Sequence, residues 1–208
     1  ISSLKDGNYP AASKSFNQIV NIDPQNSMAH TLNGLAYQLQ GLEGDLDAMA
    51  LAEAAYNQAR KYNETNAFAI LQLGRINVAR KNYVAAEDLF STVLLLEPGN
   101  EEALYELANA SYLMGDVKTS TMTAERLLKV NSTDPNNLRA TALIFAANGD
   151  MEKSQQLLIA YKKTETDPQK IAYVEQRVSE INHLHASGAI RVAQATENGE
   201  GGEEEPSS

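Results

Sequence analysis

The stretch LGRINVARKNYVAAEDLF, residues 73–90, holds a glycine, a turn and an aromatic residue in an order that recurs along the chain. The recurring turn signals are Gly7, Gly41, Lys81, Gly115 and Gly149, so three of the four intervals between them are equal and the second is longer. A small residue stands five positions after four of these signals, and an aromatic residue follows it four positions later in two of them. Self-similarity at such a period predicts a repeat architecture in which each repeat is one supersecondary unit.

Two columns of small residues keep the phase of the turn signals and predict where paired helices approach one another. The first column holds Gly34, Gly74, Ala108 and Ala142, and the second holds Ala52, Ala86, Ser120 and Ser154. We expect the two columns to face each other, because larger side chains there would overpack the contact and destabilise it by about 1–3 kcal/mol. The space toward the next repeat would then be filled by Phe16, Tyr56 and Phe90.

The combination of Leu73-Gly74-x-x-Asn77 with Ala86-x-x-x-Phe90 resembles the tetratricopeptide repeat (TPR). Asn33-Gly34-x-x-Tyr37 and Ala12-x-x-x-Phe16 carry the same resemblance in earlier repeats. The tryptophan of the family is absent, and its place is taken by His30, Ile70, Leu104 and Leu138. The resemblance covers residues 1–168 and implies an all-α fold, a right-handed α-α superhelix (solenoid) of TPR helix hairpins with a C-terminal capping helix.

The phased pattern divides the chain into consecutive segments. These are a partial first TPR (1–26, mainly its second helix), a TPR with a six-residue insertion (27–66), a TPR (67–100), a degenerate TPR (101–134), a TPR (135–168), a capping helix (169–186) and a disordered acidic tail (187–208). The capping helix is predicted from apolar residues at helical spacing between Ile171 and Leu184. Glycines and acids between Gly41 and Ala52 predict a longer turn at the insertion, with extra helix on either side of it as an alternative.

Composition bounds the chemistry that the chain can perform. Its 208 residues carry a formal net charge of −10, and 43 % of them are apolar, which suffices for a substantial core. No apolar run reaches the roughly 18 residues of a membrane-spanning helix. The absence of cysteine and the presence of only three histidines leave no nucleophile–base pair and no metal centre to propose. We therefore expect no enzyme activity, no cofactor and no metal, and the acidic balance predicts that nucleic acid is not a partner.

The resemblance implies a binding surface instead of a catalytic centre. In the family, the first helices of successive repeats line a concave groove that binds peptides. Carried over by phase, the candidate partner-binding residues are Phe68, Arg75, Glu102, Tyr105, Asn109, Tyr112 and Arg139. Tyrosines would supply rigid apolar contact, and the arginines and Asn109 would supply directed hydrogen bonds. The charged clamp by which some members hold a chaperone C-terminus is not recognisable, so a mixed apolar and polar peptide is expected.

Three functional hypotheses follow from this surface. The first is a non-catalytic protein–protein interaction scaffold in the assembly of a multiprotein complex, such as a bacterial envelope, pilus or secretion complex. The second is the substrate- or partner-recognition region of a larger enzyme. The third is a self-associating structural module, because few residues precede the predicted helix 10–21 and leave an open N-terminal edge that favours a homo-oligomer. The sequence leaves the compartment open between the cytoplasm and the bacterial periplasm.

Overall fold

In the computed structural model residues 2–189 are described, and every regular element among them is an α-helix. Consecutive helices pack against one another along the chain, which confirms the predicted all-α solenoid of helix hairpins. The helices are α1 (Ser2–Lys5), α2 (Tyr9–Ile22), α3 (Ser27–Leu42), α4 (Leu46–Tyr62), α5 (Ala67–Ala79), α6 (Tyr83–Leu96), α7 (Glu101–Met114), α8 (Val117–Val130), α9 (Pro135–Ala147), α10 (Met151–Thr164) and α11 (Pro168–Ala186). The disorder predicted for the acidic tail concerns residues that, from 190 onward, lie outside the described part.

Asparagine or aspartate is the N-cap residue of each helix from α2 to α11. The Oδ1 atom of Asn66, for example, accepts a hydrogen bond from the Ala69 amide at 3.0 Å, and Asp116 accepts one from the Thr119 amide at the same distance. Such bonds satisfy amide groups that the helix itself leaves unpaired, and a cap of this kind stabilises the helix by about 1 kcal/mol. The capping residues recur with the repeat period and mark where each helix begins.

The residue before the cap adopts a left-handed backbone conformation in every turn inside a hairpin. Gly115 and Gly149 have φ values of 82° and 84°, and Lys81 reaches 63° without being glycine. In the hairpin of α3 and α4, the left-handed residue before the cap is Gly44, which has a φ of 111°, and the cap is Asp45. The assignment of Gly41 as the turn signal is therefore wrong, because a turn here needs a left-handed residue followed by a capping side chain.

The six-residue insertion lengthens two helices and leaves the turn unchanged. Helices α3 and α4 contain 16 and 17 residues, whereas α5 and α6 contain 13 and 14. Both hairpins have a three-residue turn, Glu43–Asp45 in the first and Arg80–Asn82 in the second. The longer turn predicted for this segment is therefore wrong, and the alternative, extra helix on either side of the turn, is confirmed. Each helix gains nearly one turn, about 4.5 Å of length, and exposes Leu42 near the tip.

The glycine column makes room for aromatic rings, which differs from the predicted packing. A Cβ atom added to Gly34 would stand 2.7 Å from Cδ1 of Tyr56, and one added to Gly74 would stand 2.8 Å from Cδ1 of Phe90. The ring four residues after the second-column residue therefore occupies the space beside each glycine, a contact that the predicted packing did not include.

Serine replaces alanine in the second column of the two C-terminal hairpins, and there the predicted facing is confirmed. Ser120 donates a 2.8 Å hydrogen bond to the carbonyl oxygen of Ala108, and Ser154 donates one of the same length to that of Ala142. All four residues are buried. The hydroxyl groups thus find backbone acceptors on the facing helix, which removes the penalty for burying a polar group.

The core is a series of apolar clusters that follow one another along the solenoid. The second and third clusters are built around Tyr56 and Phe90, whose side chains are fully buried. The last cluster joins α9 and α10 to α11, which buries Val174 and Val178 against them. Because the contacts join helices of the same hairpin or of adjacent hairpins, stability is expected to be the sum of local terms, as in other solenoids.

Tyr56 is a fully buried residue whose side chain ends in a polar hydroxyl group. Its hydroxyl donates to Oε1 of Gln38 at 2.6 Å, and Nε2 of Gln38 donates to Oε1 of Gln72 at 3.1 Å. Burial raises the pKa of Tyr56 well above its ordinary value, and the positive charge of Arg75 partly opposes this shift. The phenol is therefore held neutral to high pH.

This raised pKa predicts that stability falls at alkaline pH. Tyrosine in the unfolded chain loses its proton near pH 10, whereas folded Tyr56 keeps it. Above that pH the unfolded state binds fewer protons, so the free energy of unfolding falls by up to about 1.4 kcal/mol per pH unit. Urea denaturation between pH 9 and 11.5 should show a steeper fall for the wild type than for Tyr56→Phe. Parallel curves for the two proteins would contradict the assignment.

Candidate functional site

The first helices of successive hairpins form one continuous face. Helix α5 contacts α7, α7 contacts α9, and α11 packs on α9. Three cavities open along this face, with volumes of about 410, 320 and 270 Å³. Arg139 lines all three, so they are neighbours along this face, and together we call them the Arg139 groove. Its wall includes Arg75, Tyr105, Asn136, Arg139, Leu143 and Tyr173.

Six of the seven candidate residues border this groove. The 320 Å³ cavity is lined by Arg75, Glu102, Tyr105 and Arg139 among others. The 270 Å³ cavity brings together Tyr105, Asn109, Tyr112 and Arg139. Phe68 is the exception: it lies outside the three cavities, 42 % exposed, with its ring edge-on to Tyr56 at 6.3 Å between ring centroids.

Arg75 is held by two carboxylates of the next hairpin. Its Nε donates to Oε1 of Glu106 at 2.7 Å, and its Nη2 donates to Oε2 of Glu102 at 3.0 Å. This pairing neutralises the guanidinium group and fixes α5 against α7. With these two N–H groups Arg75 holds the wall of the groove together, and the hydrogen bonds to a ligand that the sequence predicts for it stay a prediction.

Removing this guanidinium group is expected to have a small effect on stability. The Arg75 side chain is about one third exposed and Glu102 is more exposed still, so solvent screens that pair, and only the pair with Glu106, which is 14 % exposed, is less accessible to water. Arg75→Ala should lower the free energy of unfolding by no more than about 1 kcal/mol. Urea denaturation beside Arg126→Ala, an exposed arginine on α8, would measure this difference. A loss of about 3 kcal/mol or more would show that the pair behaves as a buried one.

Arg139 differs from Arg75 in its surroundings. It takes part in no ion pair with any residue between 2 and 189. Burial raises the pKa of Tyr161, and the positive charge of the nearby Arg139 counteracts part of that rise. The groove therefore holds a half-buried guanidinium group at the point where its three cavities meet.

Helix α11 contributes groove residues that the sequence reasoning missed. Tyr173, 57 % exposed, lines the first and third cavities, and Arg177 and Ile181 line the third. Tyr173 follows Arg139 by one repeat period, and Arg177 follows Leu143 by the same interval. Extending the repeat phase once more would have found both residues. They were overlooked because α11 was considered only as a cap for the core.

Two of the three histidines make structural contacts outside the groove. His30 lies 2.9 Å from the carbonyl oxygen of Pro24 and stacks on the ring of Tyr62. His185 lies 3.1 Å from the carbonyl oxygen of Ala147. Across residues 2–189, no three side chains of the metal-binding types come together as a ligand set. None of the helices in that range has the length and hydropathy needed to cross a bilayer.

The helix hairpins, their regular period and the depression along their first helices define a TPR-type solenoid. No protein-family model and no curated protein matches the chain. Among solved structures, the chain superposes on PilF of Pseudomonas aeruginosa with a TM-score of 0.69 and 17 % identity, over 90 % of this chain and 83 % of that one. A TPR protein of Parabacteroides merdae gives a TM-score of 0.71 at 15 % identity, over 90 % and 71 %.

A third solved structure is similar over its whole length. YrrB, described as a TPR protein with an unusual peptide-binding site, is 16 % identical, with a TM-score of 0.59, over 85 % of this chain and 100 % of YrrB. Identities this low establish similarity of fold. The resemblance to TPR proteins seen in the sequence is thereby confirmed at the level of three-dimensional structure.

Proposed function

We propose that this chain is a non-catalytic protein-interaction module that binds a segment of a partner protein along the Arg139 groove, as part of the assembly of a multiprotein complex. The observation that carries the proposal is the row of three cavities that meet at Arg139 and present exposed Tyr105 and Tyr173. Tyrosine and arginine are the side chains on which binding energy at protein interfaces concentrates. The peptide-binding site described for YrrB supports the same use of this fold.

Affinity capture with matched variants tests this function. Immobilised wild-type chain is compared with Tyr105→Ala and Arg139→Glu, which alter the groove, and with Arg126→Glu, which alters an exposed arginine on α8. We expect a partner that is retained by the wild type and by Arg126→Glu and lost from both groove variants. Circular dichroism of each variant controls for folding. Equal retention by all four proteins would refute groove binding.

We also propose self-association through the face of α2 that carries Ile19. This residue is 42 % exposed, whereas the residues at the same repeat position in later hairpins are buried: Ala59, Val93, Leu127 and Tyr161. In the second hairpin, α3 covers that position, with Ser27 donating to the carbonyl oxygen of Ala59 at 2.8 Å. An apolar side chain that the described residues leave uncovered is suited to burial against a second copy.

Ile19→Asp is expected to abolish this association. A carboxylate on the interface would have to be desolvated without a partner, so the variant should sediment as a monomer at concentrations where the wild type forms larger species. Leu95→Asp is the matched control, because Leu95 is exposed on α6, away from α2. Sedimentation velocity over a concentration series measures the difference. A wild-type protein that stays monomeric throughout would overturn the proposal.

A further inference from the structure

Most of the acidic side chains around the Arg139 groove already have partners within the chain, and Glu101, which lines the 320 Å³ cavity, is the exception among the described residues. Glu102 and Glu106 accept hydrogen bonds from Arg75. Asp134 accepts from the amides of Asn136 and Asn137 as the N-cap of α9. These carboxylates are therefore committed to holding helices in place, and none of them forms an ion pair with the central arginine.

Near α11 the acidic side chains also accept hydrogen bonds from groups within the chain. Asp167 is the N-cap of α11 and accepts from the amide of Gln169 at 2.9 Å. Glu165 accepts from the amides of Thr166 and Asp167, and these hydrogen bonds lower its pKa. These carboxylates keep their negative charge, but their hydrogen bonds go to other groups and none pairs directly with Arg139, so the guanidinium group can still pair with a carboxylate of a ligand.

The 270 Å³ cavity shows the charge that a ligand would meet. Two arginines, Arg139 and Arg177, line it, and no acidic residue does; Arg177 pairs with Glu180 at 2.6 Å, which leaves Arg139 as the arginine of this cavity without an ion pair among the described residues. Three tyrosines and the apolar side chains of Leu143, Ile144 and Ile181 complete the wall. Although the chain as a whole has a net charge of −10, this part of the groove is positive and apolar. A cavity of this volume accommodates one or two side chains of a larger ligand rather than a whole small molecule.

We infer that the groove binds an extended segment of a partner protein in which an acidic residue lies beside an apolar or aromatic residue. The carboxylate pairs with the guanidinium group of Arg139, which can donate two parallel hydrogen bonds to it. The neighbouring apolar side chain enters the 270 Å³ cavity against Tyr105 and Tyr173. An extended chain fits because its side chains alternate and can enter successive cavities. This inference rests on the proposed function and specifies its ligand.

Selection from a random peptide display library on the immobilised full chain tests the ligand class. We expect peptides enriched in Asp or Glu next to Leu, Ile, Phe, Tyr or Trp. The same selection on Arg139→Gln should lose the acidic preference, and on Arg126→Gln it should keep that preference. Arg139→Glu should select Lys or Arg at the same position, because the charge at the centre of the groove is reversed.

Binding of a selected peptide then measures the interaction between Arg139 and the acidic residue of the peptide directly. Fluorescence anisotropy with the labelled peptide should show an affinity at least about tenfold weaker for Arg139→Gln. A peptide with Gln in place of its acidic residue should weaken by a similar factor, and combining the two changes should add little further loss. Salt should weaken the wild-type complex more than the complex of Arg139→Gln.

The outcomes separate this inference from the proposed function. Groove-dependent selection of peptides without an acidic preference would overturn the inference and leave the function standing. Selection that Tyr105→Ala and Arg139→Gln do not alter would overturn both. If the full chain selects nothing, but a variant with Glu203, Glu204 and Glu205 changed to Gln selects acidic peptides, the chain's own tail competes for the groove and the partner assignment is refuted.

Discussion

Replacing Phe90 with alanine is expected to lower the free energy of unfolding by about 3–5 kcal/mol. The ring is fully buried and belongs to the cluster that joins α5, α6 and α7, together with Ile70 and Leu104. Truncation removes the apolar contacts of the ring and leaves a cavity. Gly74 has no side chain with which to fill that space. Urea denaturation followed by circular dichroism measures the loss.

Leu95→Ala is the matched control for this prediction. Leu95 lies on the same helix as Phe90 and is 83 % exposed, so its truncation should change the free energy of unfolding by less than about 0.5 kcal/mol. A Phe90→Ala protein that unfolds no more easily than Leu95→Ala would show that the ring is not part of a packed core. The wild-type midpoint and slope serve as the common reference.

The linear arrangement of the core predicts where the effect of Phe90→Ala appears. Contacts in a solenoid join only neighbouring helices, so a weakened central cluster uncouples the two ends. We expect amide hydrogen exchange to accelerate most in α5, α6 and α7, while amides near Val174 keep their protection. Unfolding should also become broader, because the halves separated by Phe90 no longer melt together.

The repeat period was sufficient to predict the fold, but single glycines were not sufficient to locate every turn. Gly41 and Gly44 are close neighbours in the chain, and only Gly44 precedes a capping aspartate. Recognition of the pair would have placed the turn at 44–45 and divided the insertion equally between α3 and α4. The signal was present in the sequence, and the error came from treating the two glycines as equivalent.

The groove was predictable in outline because it follows the same period. Tyr105, Arg139 and Tyr173 are each separated by one repeat period, so the phase that defines the fold also aligns the groove. The pairing of Arg75 with two carboxylates was harder to predict from the sequence. Glu102 and Glu106 lie on another hairpin, and their distance from Arg75 depends on side-chain conformations that a repeat pattern does not specify.

Two hairpins pair a glycine of the first column with an aromatic ring. In the hairpins where alanine replaces that glycine, a smaller residue replaces the ring. Gly34 lies beside Tyr56 and Gly74 beside Phe90, whereas Ala108 and Ala142 occur in hairpins with Ala124 and Leu158 at the place of the ring. A methyl group and a full ring do not fit at the same contact. A larger residue at the glycine position is therefore accompanied by a smaller residue at the ring position, as dense packing requires.

Gly74→Ala is accordingly expected to destabilise the protein although alanine favours helices. The new Cβ would stand 2.8 Å from Cδ1 and 2.9 Å from Cζ of Phe90, closer than van der Waals contact permits. Overpacking of this kind is destabilising by about 1–3 kcal/mol, and higher helix propensity offsets about 1 kcal/mol. We expect a net loss of up to about 2 kcal/mol in urea denaturation. Gly99→Ala, where an added Cβ would contact nothing, should be neutral or slightly stabilising.

The double variant Gly74→Ala, Phe90→Leu provides the decisive comparison, because it reproduces the combination found at Ala142 and Leu158. Leucine is shorter than the ring and leaves room for the new methyl group, so the double variant should be more stable than the sum of the two single losses predicts. A favourable coupling of about 1 kcal/mol or more would show that the two positions share one volume. Strict additivity would mean that Gly74 is required for another reason, and the steric explanation of the glycine column would be wrong.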